Sequence, residues 1–135
     1  MARFTHAELL CLIGAGAVGA GVHAAIAPAH LREWVPLGAG FVAVAVLLAV
    51  GVVALATRPD EPRFVVALAA LLGTVAAAYV ATRLVALSPL DPVSEPFDTL
   101  GICTSAIEAL GVLAALHIHR PRLRLAPALS SGGTR

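Results

Sequence analysis

A chain of 135 residues that is 59% apolar and only 13% charged lies far from the about 25% charged content of a soluble domain. Its nine basic residues are all Arg, it has no Lys, Asn or Gln, and a net charge of +1 offers no field for nucleic acid. An ordinary soluble globule is excluded, and the dominance of Ala, Val, Gly, Leu and Arg points to a GC-rich bacterial coding sequence.

Residues 1–8 (MARFTHAE) read as a short polar lead. Leu9–Ala27 is then apolar apart from His23. Ala25-Ile26-Ala27 resembles a signal-peptide cleavage site. However, the run has the length of a membrane span and Pro28 follows directly, so it reads as a retained first span. Gly16, Gly19, Ala20, His23 and Ala27 share one face at helical spacing. Such small faces let helix backbones approach closely in lipid. His23 is therefore expected to point into the bundle.

Pro28–Pro36 (PAHLREWVP) is expected to be a loop, because proline interrupts the helical hydrogen-bond ladder. Trp34 suits the membrane interface, with His30, Arg32 and Glu33 facing water. Leu37–Ala56 carries no charge and is read as the second span, a lipid-facing and packing helix with no polar side chain to offer a site. The short Thr57–Arg63 connection (TRPDEPR) makes the second and third spans antiparallel neighbours. Residues 64–82 form the third span, with Tyr79 and Arg83 on one face at its far end.

The connection Leu84–Asp98 (LVALSPLDPVSEPFD) is stiffened by Pro89, Pro92 and Pro96 and carries Asp91, Glu95 and Asp98, any of which can pair with Arg83. Asp98 or Thr99 is expected to cap the fourth helix. The fourth span, about 100–118, places Gly101, Thr104, Ser105, Glu108, Val112 and Ala115 on one stripe. Glu108 is the middle residue of the apolar run Leu100–Leu116. An unpaired carboxylate at the bilayer midplane costs at least about 2.5 kcal/mol. A neutral carboxyl is therefore expected, bonded to Ser105 or Thr104 or across to the first span near His23. Cys11 and Cys103 lie roughly 20 Å apart in depth at the helical rise, beyond disulfide reach. Residues 120–135 read as a basic, disordered cytoplasmic tail.

The expected architecture is all-α: a four-helix transmembrane bundle over residues 9–119, antiparallel and up-down-up-down, with spans at about 9–27, 37–56, 64–82 and 100–118. Seven of nine arginines fall on the side of the termini, with Arg32 and Arg83 on the other. The positive-inside rule then predicts N-in, C-in topology in a bacterial inner membrane. On that topology the polar chemistry gathers toward the outer side. The candidate site is His23, His30, Glu33, Tyr79, Arg83, Glu95, Asp98, Ser105 and Glu108.

These residues resemble the pattern of a family of small four-span integral membrane proteins of high-GC bacteria. In that pattern a first span ends in His and is followed by Pro-x-His-x-x-Glu. A third span ends in Arg before a proline-rich acidic loop, and an Asp opens a fourth span with a central Glu. His23, Pro28, His30, Glu33, Arg83, Pro89, Glu95, Asp98 and Glu108 match it. Ala86-Leu87-Ser88-Pro89-Leu90 departs from the Gly-Leu-Pro-x-Gly form of the loop. The resemblance covers most of residues 9–119 and implies the architecture and the choice of site, but no substrate.

Three functions fit these residues. The first is a non-catalytic accessory or structural component, working in the lipid bilayer as a homo-oligomer or within a larger membrane complex. The second is a proton- or cation-coupled transporter or channel using Glu108 and His23. The third is a metal, haem or quinone site, with His23, His30 and Glu108 as candidate metal ligands. No cofactor is required by the residues. No HExxH or CxxC motif occurs, and Ser88, Ser94 and Ser105 lack the context of a catalytic serine, so the reading leans away from an enzyme.

Overall fold

A computed structural model describes residues 5–84 and 96–119. Most of the acidic loop, Glu95 included, and the basic tail 120–135 lie outside the described residues. The described chain is four α-helices: α1 (His6–Glu33), α2 (Val35–Thr57), α3 (Pro62–Leu84) and α4 (Thr99–His119). No strand occurs among the described residues. All four helices are long and apolar enough to cross a membrane, which makes this a multi-pass membrane protein.

The first helix differs from expectation at both ends. It begins within the predicted polar lead because Thr5 and Glu8 form a reciprocal capping box. The Thr5 hydroxyl accepts from the Glu8 amide at 3.4 Å, and the Glu8 carboxylate accepts from the Thr5 amide at 3.1 Å. At its other end the helix runs through Pro28 to Glu33, so the expected Pro28–Pro36 loop is absent. Pro28 is exposed, and its ring and missing donor face away from the neighbouring helices.

Trp34 is the whole connection between α1 and α2. Its extended backbone closes one helix and opens the next. The Trp34 amide donates to the His30 carbonyl at 2.8 Å, and its carbonyl accepts from Gly38 at 3.1 Å. Pro36 sits in the first turn of α2, where its absent N–H costs nothing. So tight a reversal presses the first turn of α2 onto the last turns of α1. A Cβ on Gly38 would overlap the backbone N and Cα of Leu31.

The helices alternate in direction. The end of α3 meets the start of α4 where Tyr79 bonds Asp98, and the start of α1 meets the end of α4 where Glu8 bonds His117. Every pair of helices is in contact except α2 with α4, so these two occupy opposite corners and α1 touches all three others. The buried stripe of α1 is Leu12, Ala15, Gly16, Gly19, His23 and Ala27. The small face expected from the sequence is therefore its packing face, with Ala20 half-buried at its edge. Leu12, Leu48, Leu55, Val65, Leu68 and Leu72 fill the centre and are at most 1% exposed. Side chains from neighbouring helices occupy the glycine notches: a Cβ on Gly16 would lie 2.7 Å from Val52, and one on Gly111 would lie 2.7 Å from Ala15. Close packing of this kind replaces the hydrophobic drive that lipid does not supply.

Candidate functional site

The end of the bundle that holds Trp34 and Asp98 is built differently from the rest. His23 and His30 are seven residues apart, two helical turns, so they stack along one face of α1. Ala27 lies between them and leaves room beside the helix. Phe41 of α2 fills that room: its ring stacks on His30 at 4.5 Å and tilts against His23 at 5.5 Å between centroids. The second span was expected to offer nothing to a site, yet its single aromatic residue braces both histidines. That lone aromatic in an aliphatic helix was the available signal.

Each imidazole is held through Nδ1. His23 Nδ1 lies 2.8 Å from the Gly19 carbonyl, one turn back on its own helix. A carbonyl only accepts, so Nδ1 carries the hydrogen and the neutral ring keeps a bare acceptor at Nε2. His30 Nδ1 lies 3.2 Å from a Glu33 carboxylate oxygen and has the same consequence for its Nε2.

Opposite the histidines, Tyr79, Arg83 and Asp98 clasp the end of α3 to the start of α4. Asp98 caps α4: its Oδ1 accepts from the Gly101 amide at 2.7 Å. Its other oxygen accepts from Arg83 Nη2 at 3.3 Å and lies 3.3 Å from the Tyr79 hydroxyl. That hydroxyl also meets the Asp98 carbonyl and amide, at 3.2 and 3.3 Å. The Arg83 guanidinium lies over the Tyr79 ring at 4.6 Å and donates to Thr82. The Gly101 amide first, then the Arg83 and Tyr79 hydrogen bonds, outweigh desolvation and hold the Asp98 carboxyl below its ordinary pKa. Gly101 is needed here, since a Cβ would run into the Tyr79 ring. The pairing of Arg83 with an acid of the loop is thereby realised with Asp98.

These two walls flank a half-open cavity of about 590 Å³. His23, His30, Glu33, Tyr79, Arg83 and Asp98 all line it, so six of the expected site residues are brought together. Thr104, Thr82, Trp34 and Phe41 join them, and Val22, Ile26, Leu37 and Leu100 add apolar wall. Two expected residues lie elsewhere. Ser105 faces a shallow aliphatic groove with Ala76, Ala77 and Val80 on the other side of α4. Glu108 lies one turn below Thr104, under the cavity floor, and is 1% exposed.

The expected hydroxyl partners of Glu108 are not realised. Thr104 donates to the Leu100 carbonyl of its own helix at 2.8 Å, as hydroxyls on helices often do. Glu108 Oε1 is buried with no hydrogen-bond partner among the described residues. It occupies the notch left by Gly19, where a Cβ would stand 3.1 Å from it. The expectation that Glu108 reaches across to the first span near His23 is met in position, at Gly19, but without a bond. Among the described residues no three His, Cys, Asp or Glu side chains gather as metal ligands, so His23, His30 and Glu108 do not form such a set. Cys11 and Cys103 are both free thiols on exposed faces.

At the opposite end Glu8 bonds His117, a pair that no spacing rule could anticipate across most of the chain. His117 belongs to α4.

No protein family, curated protein or solved structure matches this chain.

Proposed function

We propose that the chain is a non-catalytic component of a bacterial inner membrane that holds a small amphipathic molecule in its outer-end cavity. The observation that carries this is the cavity of about 590 Å³ between His23, His30 and Phe41 on one wall and Tyr79, Arg83 and Asp98 on the other. Its size lies in the range of about 300–1,000 Å³ typical of small-molecule sites. An apolar wall with a few convergent polar groups is the usual form of such a site. The polar head of the ligand would meet the two bare imidazole acceptors and the Tyr79–Arg83–Asp98 clasp, and its apolar part would lie against Phe41, Trp34 and Ile26. The lipid bilayer is the partner of the aliphatic outer faces.

Two measurements test the reading. Protein purified in mild detergent should retain a small amphipathic molecule, detectable by mass spectrometry of an organic extract. Phe41→Trp, which crowds the cavity, should abolish retention; unchanged retention would overturn the assignment. Orientation follows the arginine distribution. With Cys11 and Cys103 replaced by Ala, a cysteine at Ser94 should react with an impermeant reagent from outside, and one at Ser131 should not. The reverse labelling would place the cavity on the cytoplasmic side.

A further inference from the structure

Glu108 has no role in the cavity above it, yet its placement is too specific for a filler. It lies within the membrane-spanning part of α4, 1% exposed, with Oε1 unpartnered among the described residues. Burial of such a group without a hydrogen bond is unfavourable, and an aliphatic residue would fill the same notch without that cost. Gly19 creates the notch, and Gly19 also supplies the carbonyl that orients His23. The carboxyl and the imidazole therefore converge on one residue of α1. His23 lines the cavity floor and presents a bare Nε2.

We propose that Glu108 is a proton-binding site, filled and emptied from the cavity end alone, with His23 as the relay. A proton arriving in the cavity as hydronium is taken up at His23 Nε2, leaving water. The Nδ1–H bond to the Gly19 carbonyl is kept, so the ring is held as imidazolium at the floor. The proton then leaves Nε2 for the Glu108 carboxylate through intervening water, and the ring returns to its neutral form. One O–H bond forms on the carboxyl as one N–H bond breaks on the ring. No electron moves and no other reactant is needed.

The surroundings make the path one-sided. The other nearest side chains at the notch are Leu48 of α2 and Leu72 of α3, neither of which titrates. Within its span α2 carries no ionisable residue, and the titratable groups at the far end of α3, Tyr79 and Arg83, are engaged with Asp98 at the rim. Toward the other end α4 has only apolar residues and Gly111 between Glu108 and His117, and α1 has only Cys11 between Glu8 and His23. The layer below Glu108 is closed by Leu12, Ala15, Leu68 and Ala115. A through-channel for protons has no stepping stones there. The site therefore suits proton-linked opening and closing of the bundle better than conduction across it.

The test is hydrogen–deuterium exchange of the Glu108 carboxyl in nanodiscs, followed by infrared spectroscopy. The band is assigned by its absence in Glu108→Gln. In the wild-type protein a protonated carboxyl band should be present at acidic to neutral pH and should shift promptly in D2O. In His23→Phe the band should persist while its exchange slows at least tenfold. If His23→Phe does not fold, Phe41→Trp, which crowds the cavity just above His23, must give the same slowing. Equal exchange rates in whichever variant folds, or no band assignable to Glu108 at any pH, would overturn the proposal.

Discussion

The two ends of this bundle solve the same problem in opposite ways. Around Leu12, Leu55, Val65 and Leu68, helices interlock through glycine notches filled by leucine and valine. Around His23, Phe41 and Asp98, a cavity separates the α1–α2 wall from the α3–α4 wall, and a backbone joint and a polar clasp hold each wall together. Apolar packing in lipid works only at close approach. An end that keeps a cavity must be held by other means. Here those means are the one-residue Trp34 connection, the Gly38–Leu31 contact and the Tyr79–Arg83–Asp98 network.

The largest expected effect is at the joint. Gly38→Val places side-chain atoms inside the Leu31 backbone, which cannot yield as a flexible side chain does. A loss of at least about 3 kcal/mol is expected, the upper end for overpacking. Unfolding in mixed micelles followed by circular dichroism checks it, and a variant of wild-type stability would show that the joint does not hold the open end. Next comes Gly111→Leu in the interlocked half, where Ala15 and Leu72 already fill the notch. A cost of roughly 2 kcal/mol is expected by the same overpacking argument. Gly73, whose nearest neighbour is an ordinary contact with Val112 at 3.7 Å, should accept Ala with little change. Equal costs at Gly111 and Gly73 would mean that the two notches do not differ.

Between the two halves sits Glu108, and its replacement runs the other way. Glu108→Met keeps the shape and removes an unpartnered buried oxygen, so stability should rise by about 1 kcal/mol. A loss of stability would show that the carboxyl has a partner that holds the bundle together.

An effect of similar size, in the destabilising direction, belongs to the clasp. Asp98→Ala removes the α4 cap and should cost about 1 kcal/mol. Folding holds this carboxyl below its ordinary pKa, so its contribution is fully present above about pH 4, the unfolded value. It is lost as pH falls through the lower folded value. Melting curves at neutral and strongly acidic pH should therefore converge for wild type and Asp98→Ala at the acidic end. A gap of constant size would show that the cap does not act through the ionised carboxylate.

Four helices and their alternation were legible in the residues because the signal is one-dimensional. A run of about 20 apolar residues must satisfy its own backbone in lipid, and a helix does so. The small face of α1, from Gly16 to Ala27, was legible for the same reason, since face membership follows from spacing alone. The Asp98 cap and the Arg83 pairing were legible as local chemistry at helix ends. What only the tertiary structure decided was which neighbours those faces meet. Pro28 reads as a helix end, but the Gly38–Leu31 contact and the Phe41–His30 stack hold α1 helical beyond it. Thr104 and Ser105 read as partners of Glu108, but helix geometry turned one hydroxyl to its own backbone and the other to a different face. Phe41 reads as a lipid-facing residue until α2 is folded back against α1. Glu108 could be placed at mid-span from its position in the chain. That its oxygen lies in the notch of Gly19, the same residue whose carbonyl orients His23, depends on how α1 and α4 pack across 89 residues of separation. Spacing within one helix carries no information about that contact.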